Sequence, residues 1–230
     1  RERDPYVIKE VQKRATDILT VLLAEEDGYS EKDLKENIEL KEKYKILAER
    51  DLKMKGYKIH STIDKDIYDA FQKVAKNYPH YGPDVTVQAK NKESGKIESR
   101  VDPVQPGAIL IENVTGKVIA FVGGRGFDID EYNYATEVPR QNGSTMKPLL
   151  GYAPAIEQGV IQPGTPVADI PLRGSYNPSN YSNIYYGLVS AREALAHSYN
   201  VSAVQVYQKI LPTNPVEKYL KKMGFSRISK

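Results

Sequence analysis

Residues 140–151 read RQNGSTMKPLLG. The fold turns on this stretch, because a serine and a lysine three apart stand at the mouth of an apolar run that carries a proline. Positions three apart on a helix share nearly the same face, so a helix starting here makes Ser144 and Lys147 neighbours. Pro148 fits only a first helical turn, where its missing N–H has no intrahelical partner, and Gly143 permits a sharp entry. Ser144 is therefore expected at a helix N-terminus, where free N–H groups and the helix dipole favour the negative charge that forms in acyl transfer. A serine is a poor nucleophile without a neighbouring base. Lys147, partly desolvated by Met146, Leu149 and Leu150, is expected to have a lowered pKa and to act as that base. The motif alone is weak, since serine is a common N-cap and a chain of this composition holds roughly one S-x-x-K by chance.

Downstream, REALAHSYNVSAV (192–204) offers Ser198 and Asn200 at the start of another apolar helical run, within a helix-like stretch from about 190 to 210. They can cap that helix, or project from a turn into one cleft, the hydroxyl relaying a proton and the amide gripping a peptide group. Between the two motifs lies a loop, 162–186, rich in proline, asparagine and tyrosine. Its tyrosines at 176–186 could line a cleft, but packing over the core is the expected use. Upstream, GAILIENVTGKVIAFVGG (107–124) is two alternating β-rich runs joined by a Val-Thr-Gly turn, a hairpin signature. GGRG at 123–126 lacks the order of a phosphate loop.

The first 100 residues carry 41 of the 63 charged groups of the 230-residue chain, which marks a composition boundary. DPYVIKEVQKRATDILTVLLAEED (4–27) reads as an amphipathic helix, with Asp4 as cap, Pro5 in the first turn and Val7, Ile8, Val11, Ala15, Ile18, Leu19 and Leu22 on one face. A second helix is expected from Ser30, with SEKD as a capping box, to Gly56. YKIHSTID reads as a short strand, after which Asp64 caps a helix with Ile67, Ala70, Phe71, Val74, Ala75 and Tyr78 in one stripe. The net charge of +3 favours neither nucleic acid nor an anionic membrane. With no cysteine and three scattered histidines, no metal site is expected. No apolar run approaches the ~18–20 residues of a membrane span.

NYATEVPRQNGSTMKPLLGYAPAIEQG (133–159) and YNPSNYSNIYYGLVSAREALAHSYNVSAV (176–204) together resemble the transpeptidase domain of class A, high-molecular-mass penicillin-binding proteins. STMK stands for the family's S-x-x-K motif and SYN, 54 residues on, for its S-x-N motif. The hairpin at 107–124 resembles the first of that domain's sheet. KGYKIHSTIDKDIYDAFQKVA (55–75) resembles the segment joining it to an upstream glycosyltransferase, and residues 1–50 resemble the inter-domain helices loosely. The resemblance implies an α+β fold: a helical inter-domain linker (1–60), a linker-to-transpeptidase segment (61–104) and the N-terminal half of a serine transpeptidase, β-lactamase-like domain (105–230), with mixed helices and an antiparallel sheet.

It also implies roles. Ser144 would attack the D-Ala-D-Ala carbonyl of a peptidoglycan stem peptide, Lys147 would take its proton, Ser198 would shuttle a proton to the leaving amine, and Asn200 would hydrogen-bond the substrate backbone. β-Lactams would stall at the ester, and no cofactor or metal is implied. Class A β-lactamases typically have aspartate in the middle of the second motif, where this chain has Tyr199, which favours the synthase. A β-lactam sensor and a non-catalytic scaffold are the rival readings. The third family motif, K-T/S-G, is absent from the sequence, and TGK at 115–117 reads as a hairpin turn. The expectation is therefore of a piece of a bifunctional synthase anchored upstream at the outer face of a bacterial cytoplasmic membrane. Such a piece would be inactive alone and would need a C-terminal chain or segment to complete the domain.

Overall fold

In the computed structural model, which describes residues 4–90, 95–174, 176–226 and 228, the chain divides into two compact units between Pro139 and Arg140. The first begins with α1 (Pro5–Glu26), Pro5 lying in its first turn as expected. Asp4 caps it differently: its backbone is left-handed (φ 59°), its side chain makes no cap bond, and its carbonyl accepts the Val7 and Ile8 N–H groups at 3.0 and 3.1 Å. The Asp4 carboxylate instead approaches Lys65 at 3.5 Å.

The Ser30 capping box forms, with Ser30 N–H donating to Asp33 Oδ2 at 2.7 Å and Asp33 N–H to Ser30 Oγ at 3.3 Å. The helix expected from there to Gly56 is two, α2 (Glu31–Glu36) and α3 (Ile38–Met54). They break at Asn37, whose extended backbone ends one and whose side chain caps the other through Leu40 N–H at 3.0 Å. Residues 57–64 form no strand. Isolated bonds tie them down instead, from Thr62 Oγ1 to the Val118 carbonyl at 2.6 Å and from Asp64 N–H to the Ile119 carbonyl at 2.9 Å. Asp64 then caps α4 (Lys65–Asn77) as expected, accepting from Asp66 and Ile67 N–H at 3.1 Å each.

Two antiparallel hairpins follow. The pairing of β1 (Val85–Lys90) with β2 (Ile97–Asp102) has no signature in the sequence, whereas β3 (Ala108–Ile111) with β4 (Val118–Val122) is the hairpin expected. Its turn closes through Gly116 N–H to the Glu112 carbonyl at 2.8 Å, with Gly116 at φ 72°, so TGK does serve as a turn. The core here is Tyr6, Tyr68, Ala120 and Phe121, with Tyr6 edge-on to Phe127 and Tyr68 edge-on to Phe121. A Cβ at Gly123 would lie 2.9 Å from the Tyr6 ring, which gives GGRG a packing role. A second cluster joins Ala24, Leu34 and Tyr44. The Tyr44 hydroxyl donates to Asp27 Oδ2 at 2.6 Å, and that carboxylate, with burial, pushes the phenol up to about 12. The expected stripe of α1 is only partly covered: Ile18 stays 59% exposed, and Val7, Val11 and Leu19 line a mainly apolar groove of about 600 Å³ with Ile63 and Phe121.

The second unit starts with a 3₁₀ turn, Gly143–Thr145, continues as a π-helical segment, Lys147–Tyr152, and ends as α5 (Ala153–Glu157). Pro148 lies in the first helical turn, as expected. The π register has a cause in Pro154, which has no N–H to return to Leu150; the Ala153 N–H already reaches back five residues, to the Pro148 carbonyl. The expected loop 162–186 contains a strand, β5 (Pro166–Asp169), paired antiparallel with β6 (Gly187–Ser190). The helix-like run is two helices, α6 (Ala191–Ala196) and α7 (Asn200–Ile210), with the SYN motif at the break. Tyr152, Ala155, Ile161, Val167, Ala194, Val206 and Ile210 form the core. The fold is α+β, with three two-stranded antiparallel ribbons among the described residues. None of the described helices is long and apolar enough to cross a membrane.

Candidate active site

Ser144 lies in the 3₁₀ turn, exposed, after Gly143 at φ 54°. Lys147 opens the π-helical segment one turn on and is half-buried. Its Nζ donates to the Ser198 carbonyl at 2.6 Å, Ser198 Oγ at 2.9 Å and Asn200 Oδ1 at 2.6 Å. Burial lowers the Lys147 pKa below the ordinary lysine value. Ser144, Met146, Lys147, Tyr176, Asn200 and Tyr207 line one cleft of about 480 Å³. The four residues singled out in the sequence thus converge: Ser144, Lys147 and Asn200 share the cleft, and Ser198 joins them through the lysine amine.

Ser198 is held in an unusual backbone. α6 ends with Ser198 N–H donating to the Leu195 carbonyl at 3.0 Å and Tyr199 N–H to the Ala194 carbonyl at 2.9 Å, a closure that sets the residue after the cap left-handed. That position usually takes glycine, but here it is serine, at φ 56°. Strain of this kind persists only where the surroundings over-determine it, and it turns the Ser198 carbonyl and hydroxyl together onto Lys147. Tyr199 and Tyr186 stack with ring centroids 4.5 Å apart, and His197 also stacks with Tyr199, at 5.5 Å.

The tyrosine cluster departs from expectation. Tyr176 lines the cleft, and Tyr181, Tyr185 and Tyr186 are exposed rather than packed over the core. The loop's buried members are polar. Asn180, 4% exposed, and Asp169, fully buried, went unnoticed in the sequence because a single Asn or Asp in a polar loop carries no periodic or motif signal. They stand at the centre of a dense set of side-chain hydrogen bonds. Asn180 Nδ2 donates to both Asp169 carboxylate oxygens at 3.0 and 2.8 Å and to the Ile184 carbonyl at 2.9 Å, while its Oδ1 accepts the Asn200 N–H at 2.8 Å. Among the described residues no three His, Cys, Asp or Glu side chains gather as metal ligands.

The family model described as the penicillin-binding protein transpeptidase domain matches residues 107–229. Penicillin-binding protein 1A of Clostridium tetani is 32% identical over 203 residues, covering 82% of this chain and 24% of the relative. The penicillin-binding protein PonA1 of Mycobacterium tuberculosis superposes with a TM-score of 0.50 at 25% identity, over 67% of this chain and 35% of that one. The structure of PonA1 in complex with penicillin V shares the fold at the same TM-score and 22% identity, over 86% and 41%. The chain spans about a quarter of the length of the curated relatives it matches. With the family model covering more than half of its residues, the chain belongs to the penicillin-binding proteins that carry a transpeptidase domain.

Proposed function

We propose that this chain carries the acyl-transfer residues of a peptidoglycan cross-linking transpeptidase that works through a serine ester. The observation that carries this reading is the Lys147 amine, bonded to Ser198 Oγ and Asn200 Oδ1 beside an exposed Ser144 in one cleft. Lys147 in its neutral form takes the Ser144 hydroxyl proton as Oγ attacks the carbonyl between the two terminal D-alanines of a stem peptide. The resulting ammonium is stabilised by the Ser198 and Asn200 oxygens. As the amide C–N bond breaks, Ser198 relays the proton to the departing amine, and D-alanine leaves with it. The amine of a second stem peptide then attacks the ester, forming the cross-link and returning the proton to Ser144. Asn200 hydrogen-bonds the stem-peptide backbone.

A β-lactam carbonyl fits the same attack, and the penicillin V complex of PonA1 supports that extension. The parent is read as a bifunctional synthase at the outer face of the cytoplasmic membrane. In it, residues 1–60 form the inter-domain linker, 61–104 the connecting segment and 105–230 the transpeptidase part, with a glycosyltransferase upstream. In the full-length protein carrying this sequence, D-alanine release from a peptide ending in D-Ala-D-Ala is the test. Release that disappears in Ser144→Ala supports the reading, and release undiminished in that variant overturns it.

A further inference from the structure

Helix α7 presents Asn200 as its first residue, yet its N-cap, Tyr199, makes no side-chain cap bond. A helix N-terminus leaves N–H groups without intrahelical partners, and when these are buried an acceptor must come from elsewhere. It comes from 20 residues upstream: Asn180 Oδ1 accepts the Asn200 N–H at 2.8 Å and the Val201 N–H at 3.4 Å. Val201 is fully buried and Asn180 nearly so, which keeps bulk water from serving as the acceptor of the Val201 N–H. The orientation of the Asn180 amide is fixed in turn, because its Nδ2 is committed to Asp169 and to the Ile184 carbonyl. Asp169 is itself held by Tyr186 N–H at 2.9 Å and Ser202 Oγ at 3.3 Å, the latter from the first turn of α7. From the other side, Asn200 Nδ2 donates to the Ser179 carbonyl at 2.8 Å, leaving Oδ1 to accept from Lys147.

We propose that Asn180, clamped by the buried Asp169, is a positioning residue for acylation: it caps α7 from outside and so fixes Asn200, and the left-handed turn at Ser198, against the Lys147 amine. Neither side chain lines the cleft, so neither touches substrate, and both act through the SYN segment. Removing the Asn180 amide takes the acceptor from the Asn200 and Val201 N–H groups, the second of them buried, and lets the start of α7 shift. Displacement of a reacting group by about 1 Å can cost on the order of 10²-fold in rate. The inference rests on the serine-ester reading above.

The test is a double-variant cycle in the full-length protein carrying this sequence, following the rate constant of acylation by a fluorescent penicillin. Asn180→Ala is expected to slow acylation by roughly 10- to 100-fold. Because part of the Asn180 effect runs through the Asn200 side chain, Asn180→Ala/Asn200→Ala should be slowed by less than the product of the two single effects, whereas a loss of general stability would add in full. Asn180→Asp sets two carboxylates, its own and that of Asp169, face to face and should be slower still, and Asp169→Asn added to it, which restores a donor–acceptor pair, should recover much of the rate. An unchanged rate in Asn180→Ala, or full additivity with Asn200→Ala, overturns the proposal. A parent protein that penicillin does not acylate at all overturns the serine-ester reading instead.

Discussion

At Lys147 two influences meet. Three oxygen acceptors surround the amine, and burial disfavours its charged form and lowers its pKa. A general base must be neutral to accept a proton, so acylation should fall as pH drops through this lowered pKa and level off above it. The rise should come at lower pH than the ordinary lysine value of about 10.4 allows. Acylation rate constants measured across pH check the sign, and a rate that climbs only where an unperturbed lysine titrates would contradict it. Lys147→Ala should keep the fold and slow acylation by roughly 10²-fold or more, the usual worth of a general base. Lys147→Arg, always charged, should be no better. The four residues of the two motifs were legible in the sequence because S-x-x-K and S-x-N impose a spacing. Asn180 and Asp169 were not, since their importance comes from burial, and burial appears only once β5 and its loop have folded against α7.

At the scale of elements, local chemistry was read best where a side chain bonds its own backbone. Asp64 is such a case, and Asp64→Ala should destabilise the protein by about 0.5–2 kcal/mol in denaturant unfolding, the range for a lost N-cap. Gly107 is a tertiary case: an added Cβ would sit 2.6 Å from the Tyr134 carbonyl oxygen, a backbone atom that cannot rotate away. Gly107→Ala should therefore cost about 1–3 kcal/mol by the same measurement, as overpacking does. The hairpin at 107–124 was legible from its alternation and its turn. The break at Asn37 was missed because the charged stretch 31–55 has helical composition throughout, and a single asparagine, though a good cap, is a weak breaker. β1 and β2 were missed because VTVQAK and IESRVD mix strand formers with charges and show no apolar run.

For the molecule as a whole, composition placed a boundary near residue 100, while the compact units meet at 139 and the family match begins at 107. The hairpin β3–β4 accounts for the difference, since Ala120 and Phe121 pack with Tyr6 and Tyr68 although the family match includes them. A serine ester at Ser144 is checked by intact-protein mass spectrometry and peptide mapping of the full-length protein carrying this sequence after exposure to penicillin. One added penicillin is expected, on the peptide containing Ser144, and none in Ser144→Ala. An adduct on any other residue, or no adduct on the folded protein, would contradict it.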